Sequence, residues 1–418
     1  MREMKDSGIE WVGKVPATWK IMPNKYIMTK KKVIKEVYDG ENIISLSMNG
    51  VIIRDLEAGG KMPKTFDGYQ IVYPGNLLMC LFDYDVTPRC IGLIKDYGVT
   101  SPAYSQFVMN NGNYSGYYYY YYLMIDHTKA LLHLAKNLRH SLTEEQLGAI
   151  LAPVPTIEEQ QRIVDFLDFK CSKIDASAED IQKEISLLED YKKSVITEAV
   201  TKGLNPDAEM KESGIEWIGE IPKYWKVDKI KYHLKRNEPK NPGNAIVLSV
   251  YRDYGVIPKD SRDDNHNVTS EDTSKYKYVK KGQLVINKMK AWQGSLAVSD
   301  YDGIVSPAYF IYDFIDEEYN HKYFHYLVRS CYKEEFKRIS GGIREGQWDL
   351  STEGFSNTMV LLPSIEEQNE ILDYILQKEM EIDSLIADKK RQLDILADYK
   401  KSLIYEYVTG KKEVPVNE

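Results

Sequence analysis

The stretch Ser7-Gly8-Ile9-Glu10-Trp11 returns as Ser213-Gly214-Ile215-Glu216-Trp217, and this repetition decides how the 418-residue chain folds. Four further blocks recur in the same order, at a distance of 205 to 208 residues from their first copies. The recurring pairs are residues 13–19 and 219–225, 101–104 and 306–309, 157–160 and 365–368, and 190–194 and 398–402. A period this long is not that of a solenoid, so the pattern predicts a module that occurs twice.

Each copy of the module divides into a β-rich part and a helical part. In the β-rich part, short apolar runs end at Gly, Pro or Asn, as at residues 71–75 and 284–287. This pattern is typical of strands that lead into turns. The predicted boundaries are residues 1–155 and 207–363 for the two β-rich domains, 156–206 for the first long helix and its linker, and 364–418 for the second long helix and its tail.

The helical parts carry the heptad spacing of a coiled-coil seam. The apolar positions of the seam are Leu167, Ile174, Ile181, Leu188 and Val195 in the first copy, and Ile375, Ile382, Leu396 and Leu403 in the second. Lys389 interrupts the second seam, and Leu385 and Leu393 are predicted to cover the gap. A helix this long and amphipathic needs a partner in water, so the two copies are expected to pack on each other.

Both long helices begin with the same start signal. Thr156 and Ser364 follow a proline and precede Glu159 and Glu367 by three residues. This spacing predicts a capping box, in which the hydroxyl and the glutamate side chain each bond a free backbone N–H. The motif is fully explained by structure, and no chemistry is assigned to it.

The net charge of −8 hides an uneven distribution of charge along the chain. Residues 223–290 contain 16 Lys and Arg against 8 Asp and Glu, and residues 20–64 contain nine against five. Such local basic stretches favour a nucleic-acid partner for the β-rich domains, although chance fluctuation of charge is the alternative. The polar N-terminus lacks a signal peptide, and no long apolar run exists, so a cytoplasmic protein without a membrane segment is expected.

No catalytic or metal-binding motif stands out. Cys80, Cys90, Cys171 and Cys331 form no C-x-x-C pair and are interpreted as reduced, buried thiols. Residues 241–244 are a turn rather than a methyltransferase motif, and residues 206–211 lack the acid spacing of a nuclease. There is no P-loop and no G-x-S-x-G. The tyrosine run at 117–122 is interpreted as a core helix rather than a base-stacking surface.

These blocks together resemble a known family. Each copy opens with Gly-Ile-Glu-Trp-x-Gly-x-x-Pro-x-x-Trp, continues through a variable region, and reaches Pro-x-x-Glu-Glu-Gln at the start of a helix that contains Tyr-Lys-Lys-Ser. This arrangement, which covers nearly the whole chain, is similar to that of the specificity subunits of type I restriction–modification systems.

The resemblance implies an α+β fold and a division of labour. Two mixed α/β target-recognition domains would follow each other in tandem, each succeeded by a long helix, and the two helices would pair as an antiparallel coiled coil. Each domain would read one half of a split, asymmetric site in double-stranded DNA. The chain would be non-catalytic and would direct two methyltransferase subunits and the restriction motor-nuclease subunits of an adenine-methylating, DNA-cleaving complex. S-adenosylmethionine, ATP and Mg²⁺ would belong to those partners, with no cofactor or metal in this chain.

Candidate DNA contacts are polar or aromatic residues in the loops of the β-rich domains, because base edges and phosphates are bound by such side chains. The family has a loop near DNA that corresponds to residues 136–141 and 341–348. A second cluster lies at residues 288–293, and single surface charges are weaker candidates. The candidates are Arg139, His140, Arg89, Arg54, Lys61 and Lys64 in the first half, and Arg344, Gln347, Trp348, Lys288, Lys290, Trp292, Gln293, Arg252 and Arg262 in the second.

Two other functions compete with DNA recognition. A coiled-coil scaffold that reads no DNA would show no salt-sensitive DNA binding in its assembled complex. A fused restriction–methylation enzyme would need a glycine-rich methyl-donor loop, which the sequence does not contain.

Overall fold

The computed structural model describes residues 2–57, 63–135, 140–243, 245–252, 254–261, 272–342 and 348–415. The chain divides into two compact units. Unit 1 comprises Met1–Gln182 together with Lys390–Glu418, and unit 2 comprises Lys183–Lys389. Each long helix therefore contributes one part of its length to each unit.

Short strands dominate the first half of the chain. Its helices and strands are β1 (Met4–Asp6), β2 (Lys14–Pro16), β3 (Lys20–Pro23), α1 (Asn24–Ile27), β4 (Met28–Lys31), β5 (Ile44–Ser47), β6 (Gly50–Ile53), β7 (Gln70–Val72), β8 (Leu77–Met79), β9 (Ile91–Leu93), β10 (Gly98–Thr100), β11 (Ser105–Met109), α2 (Ser115–Thr128), α3 (Glu144–Ala149), β12 (Leu151–Val154) and α4 (Ile157–Lys202).

The second half repeats this order with small additions. Its helices and strands are β13 (Met210–Glu212), β14 (Glu220–Pro222), β15 (Lys226–Lys229), β16 (Leu234–Arg236), β17 (Leu248–Tyr251), β18 (Gly255–Pro258), β19 (Lys277–Val279), β20 (Leu284–Asn287), β21 (Leu296–Val298), β22 (Gly303–Val305), β23 (Tyr309–Phe314), α5 (His321–Cys331), α6 (Lys333–Arg338), β24 (Ser340–Gly341), β25 (Asp349–Leu350), α7 (Thr352–Asn357), β26 (Met359–Leu362) and α8 (Ile365–Val408).

The two units share one sheet topology. The four-stranded sheet has the order β4-β11-β8-β9 in unit 1 and β16-β23-β20-β21 in unit 2, and both sheets are antiparallel. The strands predicted at residues 71–75 and 284–287 correspond to β7 and β20. The mixed helix-and-strand fold predicted for both copies is thereby confirmed.

The tyrosine run forms the core of unit 1. In α2, Tyr117, Tyr118 and Tyr121 are fully buried, which confirms the core interpretation over base stacking. The Tyr117 hydroxyl donates to the carbonyl oxygen of Val408 at 2.8 Å. Its counterpart in unit 2, Tyr323, donates to the carbonyl of Val200 at 3.1 Å. In each unit, the end of a long helix is therefore fixed by the helix that follows the sheet.

The recurring tryptophan and glutamate bind each other. The Trp19 indole N–H donates to Glu159 at 2.8 Å, and the Trp225 indole donates to Glu367 at the same distance. The predicted capping boxes are half right, because the Thr156 hydroxyl accepts from the Glu159 backbone N–H at 3.2 Å. The glutamate side chain binds tryptophan instead of returning the bond, so it joins the long helix to the opening block of each unit.

A buried glutamine completes this junction. Gln160 and Gln368 are both fully buried at the start of α4 and α8. The Gln160 carbonyl accepts from the Tyr114 backbone N–H at 2.8 Å, and its amide donates to Pro155 at 3.1 Å. Gln368 repeats the pattern, accepting from the Asn320 N–H at 2.8 Å. The Glu-Glu-Gln motif therefore recurs because each side chain has a fixed structural partner.

A left-handed glycine follows each long helix. Gly203 has a φ of 72° and Gly410 a φ of 69°, a conformation that costs glycine little and other residues more. A Cβ atom on Gly410 would lie 2.6 Å from the ring of Pro16, whereas one on Gly203 would first meet the Glu367 side chain at 3.0 Å. The turn after α8 is thus the tighter of the two.

The long helices run antiparallel where they meet within each unit. In unit 1, the rings of Phe166 and Tyr407 are 4.5 Å apart, and Lys400 binds Asp175 at 2.6 Å. In unit 2, Lys192 binds Asp383 at 2.8 Å, and Lys389 binds Glu184 at 2.5 Å. Residue numbers rise along α4 as they fall along α8, which is the predicted antiparallel pairing.

The seam departs from the predicted heptads at its weak point. Leu385 is 51% exposed and does not cover the gap at Lys389, so that part of the prediction is wrong, whereas Leu393 is half-buried. Ile386, one residue further, is buried instead. Lys389 is retained through its ion pair with Glu184, because a long lysine stem can pack along the seam while its ammonium group stays hydrated.

Cys80, Cys90, Cys171 and Cys331 are free thiols, and the first three of them are buried. Burial raises the pKa of the Cys171 thiol to about 11, which keeps the group protonated and unreactive. Within the described residues, no helix combines the length and the apolar character that crossing a membrane requires.

Candidate nucleic-acid interface

Two of the sequence-predicted clusters of unit 2 lie side by side. The Trp292 and Trp348 rings are 5.4 Å apart. Lys288 binds the carboxylate of Asp349 at 2.8 Å, and its carbonyl accepts from the Leu350 N–H at 2.9 Å. The segment after β20 and the segment that opens β25 therefore form one surface, although 61 residues separate Lys288 from Asp349 in sequence.

The β17–β18 hairpin reaches the same surface. Gly294 has a φ of 88°, and a Cβ atom there would lie 3.9 Å from Cγ of Arg252 at the hairpin tip. Lys290 and Gln293 flank this contact on the short 3₁₀ helix Ala291–Gln293. Arg252 and Lys290 are exposed, whereas Trp292, Gln293 and Trp348 are half-buried. The second-half candidates that the structure describes are thus assembled in one place.

Unit 1 brings equivalent segments together. The Leu142 N–H donates to the Leu81 carbonyl at 2.7 Å, as Leu350 does to Lys288. The Tyr84 N–H donates to the carbonyl of His140 at 3.2 Å, and Nδ1 of His140 lies 2.7 Å from Asp85. His140 therefore occupies the place that Trp348 occupies in unit 2, and its ring is directed to a carboxylate of the neighbouring loop.

Arg89 does not present a free guanidinium. Its Nε donates to the Ile91 carbonyl at 3.1 Å and its Nη1 to the Met48 carbonyl at 2.8 Å. Its Nη2 donates to the Tyr119 hydroxyl at 2.5 Å. Burial raises the pKa of Tyr119, and the neighbouring guanidinium opposes part of that rise, so the hydroxyl remains protonated. Arg89 is engaged by the protein itself rather than directed at a base.

The weaker first-half candidates lie at the end of the β5–β6 hairpin and beyond it. Arg54 follows β6, is half-buried, and donates its backbone N–H to Ile43 at 2.7 Å. Lys64 is exposed in the loop before β7. Both positions suit phosphate contacts, which require an accessible cation rather than a fixed geometry.

The comparison with known protein families shows what the second half of the chain is similar to. The family model of the type I restriction modification DNA specificity domain matches residues 222–394. This part of the chain is therefore similar to the type I specificity domain. The matched residues include the four-stranded sheet of unit 2, both of its candidate surface segments and the first part of α8.

A curated relative in the specificity family is the type I restriction enzyme MjaVIII specificity subunit of Methanocaldococcus jannaschii, 26% identical over 287 residues. The match covers 63% of this chain and 63% of that protein, so the chain spans just under two thirds of the relative's length.

Two solved structures share the fold. A chain from work on complex assembly and conformational transition of the type I R-M system has a TM-score of 0.68 at 13% identity, covering 95% of this chain and 99% of that one. The HsdS subunit from Thermoanaerobacter tengcongensis has a TM-score of 0.50 at 14% identity, covering 95% and 98%. At these identities the likeness concerns the fold alone.

Some candidate contacts of this chain lie outside the described residues. They are Lys61, Arg139, Arg262, Arg344 and Gln347. They stay predictions from the sequence. His140, which follows Arg139, and Trp348, which follows Gln347, belong to the surfaces described above.

One group of side chains has the geometry to hold a cation. The ligand atoms of His233, Asp316 and Glu318 lie within 4.8 Å of one another. The imidazole Nδ1 of His233 is 2.9 Å from Asp316 and 3.7 Å from Glu318, and Nε2 is 3.6 Å from Asp228. Hydrogen bonding to Asp316 accounts for this contact without a metal.

Arg329, in the last turn of α5, was not among the candidates predicted from the sequence. Its Nη1 donates to the Leu296 carbonyl at 3.0 Å, and its Nη2 donates to the Arg252 carbonyl. Beside it, burial and the charges of Arg329 and Lys322 lower the pKa of His325 to about 4, so the neutral ring accepts from the Val298 N–H at 3.2 Å. An arginine inside a helical pattern gives no sequence signal of a contact with a distant turn.

Proposed function

We propose that this chain is the DNA sequence-recognition subunit of a type I restriction–modification complex. Each β-rich domain, residues 1–155 and 207–363, reads one half of a bipartite, asymmetric site in double-stranded DNA. The long helices at 156–206 and 364–418 set the spacing between the two halves. The chain itself is non-catalytic and operates in the cytoplasm, where it directs its partners to the site.

The supporting observation is that a similar surface occurs in both units but carries different side chains. Both units bring the segment after the central strand and the segment before a short helix to one place, and in unit 2 the hairpin tip reaches the same place. The side chains differ, with His140 in unit 1 where unit 2 has Trp348. Two similar frames with different side chains suit two different half-sites, because base readout depends on the side chains that reach the groove.

The partners follow from the family and not from a site in this chain. Two methyltransferase subunits and the motor-nuclease subunits would bind the chain. S-adenosylmethionine, ATP and Mg²⁺ would be held by those subunits. The MjaVIII relative, named a specificity subunit of a type I restriction enzyme, supports this assignment.

Exchange of one domain tests the proposal. Residues 20–150 are replaced by the corresponding region of another family member, and the matched control replaces residues 226–358. Methylation-sensitive sequencing of the host genome then reports the modified sites. We expect each exchange to change one half-site and leave the other half-site and the gap unchanged. A change of both halves by one exchange would contradict the two-domain assignment.

A short insertion next to Lys202 or Gly203 tests the spacing role. We expect it to change only the length of the unread gap. A protein that binds DNA phosphates displaces their counterions, so its affinity for DNA falls as the salt concentration rises. If the assembled complex shows no salt-sensitive DNA binding, the chain is instead a coiled-coil scaffold.

A further inference from the structure

Each unit presents a two-stranded hairpin whose tip carries exposed side chains. In unit 1, β5 and β6 pair from Ile44–Ile53 to Ser47–Gly50, and the tip residue Met48 is 73% exposed. In unit 2, β17 and β18 pair from Leu248–Pro258 to Tyr251–Gly255, and Tyr254 at the tip is 59% exposed. A two-stranded ribbon fits the major groove of DNA, where a tip can reach base edges.

Hairpins of two strands need support from the rest of a domain, because they are marginally stable alone. The β5–β6 hairpin packs on β9, where a Cβ atom on Gly92 would lie 2.4 Å from Cγ2 of Val51. In unit 2 the equivalent contact is made at Gly255, where a Cβ atom would lie 3.2 Å from Ala297 of β21. This packing holds the strands of each hairpin.

In unit 1 the tip is tied down by Arg89. This side chain donates to the Met48 carbonyl in the tip and to the Ile91 carbonyl at the start of β9. Its Cζ would lie 3.7 Å from a Cβ atom on Gly50, which has a φ of 99°. The guanidinium therefore joins the tip to the edge strand with bonds strengthened by its charge.

In unit 2 the same two positions are joined by Arg329. It donates to the Arg252 carbonyl in the tip and to the Leu296 carbonyl at the start of β21. Leu296 corresponds to Ile91, because the two pair with equivalent residues of the central strand. Leu296 pairs with Ile286 of β20, and Ile91 pairs with Met79 of β8. The acceptors in the two units are thus equivalent.

The two arginines themselves are not equivalent in sequence. Arg89 precedes β9, and the equivalent position in unit 2 is Gly294. Arg329 lies in α5. When Tyr323 is aligned with Tyr117, the position of Arg329 corresponds to Leu123 in unit 1. A guanidinium that reaches the same pair of carbonyls from two different elements indicates a requirement of the site. Inheritance of one residue in a duplication would have kept the arginine in the same place.

We propose that Arg89 and Arg329 are positioning residues that hold the two hairpin tips in the conformation that reads DNA. This inference rests on the proposed function and assigns the tips, with Met48, Asn49, Arg252 and Tyr254, to the major groove of the two half-sites. Arginine and asparagine, the types at Arg252 and Asn49, are among the side chains that bind base edges in pairs of hydrogen bonds. Arg89 and Arg329 act on DNA through the tips and contact neither base nor phosphate.

The test uses the assembled methyltransferase complex and duplexes that carry single base-pair changes in either half-site. Arg89→Met and Arg329→Met remove the guanidinium and keep the apolar stem. We expect Arg89→Met to reduce discrimination about tenfold at several adjacent base pairs of one half-site, and Arg329→Met to do the same in the other half-site only. Each variant is the control for the other.

Salt dependence separates positioning from direct contact. Loss of a phosphate contact lowers the slope of log affinity against log salt by about one, so we expect both slopes to remain unchanged. A lowered slope, or a loss confined to one base pair, would show that the arginine contacts DNA and would overturn the proposal. Unchanged discrimination in both variants would overturn it as well.

Conservative variants keep the test decisive if a methionine variant does not fold. Arg89→Lys and Arg329→Lys retain the charge and one donor nitrogen in place of three, and we expect intermediate discrimination with an unchanged melting temperature. If a lysine variant discriminates as the wild type does, the fork geometry is not required and the proposal fails. If the wild-type complex itself shows no sequence preference, the proposed function fails instead, and the two results cannot be confused.

Discussion

In unit 1 the hairpin tip presents Met48 and Asn49, whereas in unit 2 it presents Arg252 and Tyr254. Away from the tips the units use the same bonds, as with the two tryptophan–glutamate pairs, each 2.8 Å long. The residues that stabilise the fold are therefore the same in both copies, whereas the exposed residues of the tips differ. The recurring motifs of this chain describe its scaffold, and the proposed recognition chemistry lies where the copies differ.

The largest expected effect is the loss of stability when either buried glutamine is replaced. Gln160→Leu leaves the Tyr114 N–H and the Pro155 carbonyl without partners, and Gln368→Leu does the same to Asn320 and Pro363. We expect each change to destabilise its own unit by about 3 kcal/mol, because buried unpaired groups cost about 1–3 kcal/mol each.

Hydrogen exchange measures this effect unit by unit. The amide of Tyr114 should lose protection in Gln160→Leu, and that of Asn320 in Gln368→Leu, with the other unit unaffected. Glutamate in place of either glutamine serves as the size-matched control, since it keeps the acceptor and loses the donor. A strong effect in one unit and none in the other would mean that equal geometry does not give equal energy.

A second, smaller effect would sharpen the comparison at the helix ends. Gly410→Ala places a Cβ atom against the Pro16 and Trp19 rings, whereas Gly203→Ala meets the end of the flexible Glu367 side chain first. Both changes force a positive φ on alanine, which costs about 1 kcal/mol. We expect about 2 kcal/mol for Gly410→Ala and about 1 kcal/mol for Gly203→Ala. Thermal unfolding of both variants checks the order, and a larger loss in Gly203→Ala would refute it.

The smallest expected effect concerns the ion pairs between the long helices. Lys400–Asp175 in unit 1 and Lys192–Asp383 in unit 2 are exposed and equivalent by the repeat. Exposed pairs contribute about 0.2–1 kcal/mol and weaken in salt. Asp383→Asn should cost less than Asp175→Asn, since Lys192 keeps Glu379 at 3.3 Å. Melting temperatures at low salt should show this difference, and about 1 M salt should abolish it.

Much of the architecture could be inferred from the repeat alone. Two copies of one motif set predicted two similar domains, and the proline followed by Thr156 or Ser364 marked the start of each long helix. These features are local or periodic, so sequence carries them directly. The failure at Leu385 is of another kind, because which residue fills an interrupted seam depends on side chains of the opposing helix.

The candidate surface was predictable in part. Lys288 and Trp348 were both singled out from the residue types in their loops, and the structure places their segments side by side. The hydrogen bond from Arg329 to the hairpin tip was not predictable, because its acceptor is the backbone carbonyl of Arg252, 77 residues away. Carbonyls have no sequence signature, so an arginine that donates to carbonyls looks like any charged residue of a helix.

The composition of unit 1 from two distant stretches of chain affects the order in which a ribosome can complete the units. Residues 183–389 of unit 2 are continuous, whereas the core of unit 1 includes Leu403, Ile404 and Val408 from the last part of α8. During synthesis, the domain that is made first would therefore wait longest for its final contacts. Its apolar surface stays exposed in the nascent chain for more than 200 residues after α4 begins, an interval in which chaperones or premature association would act on it.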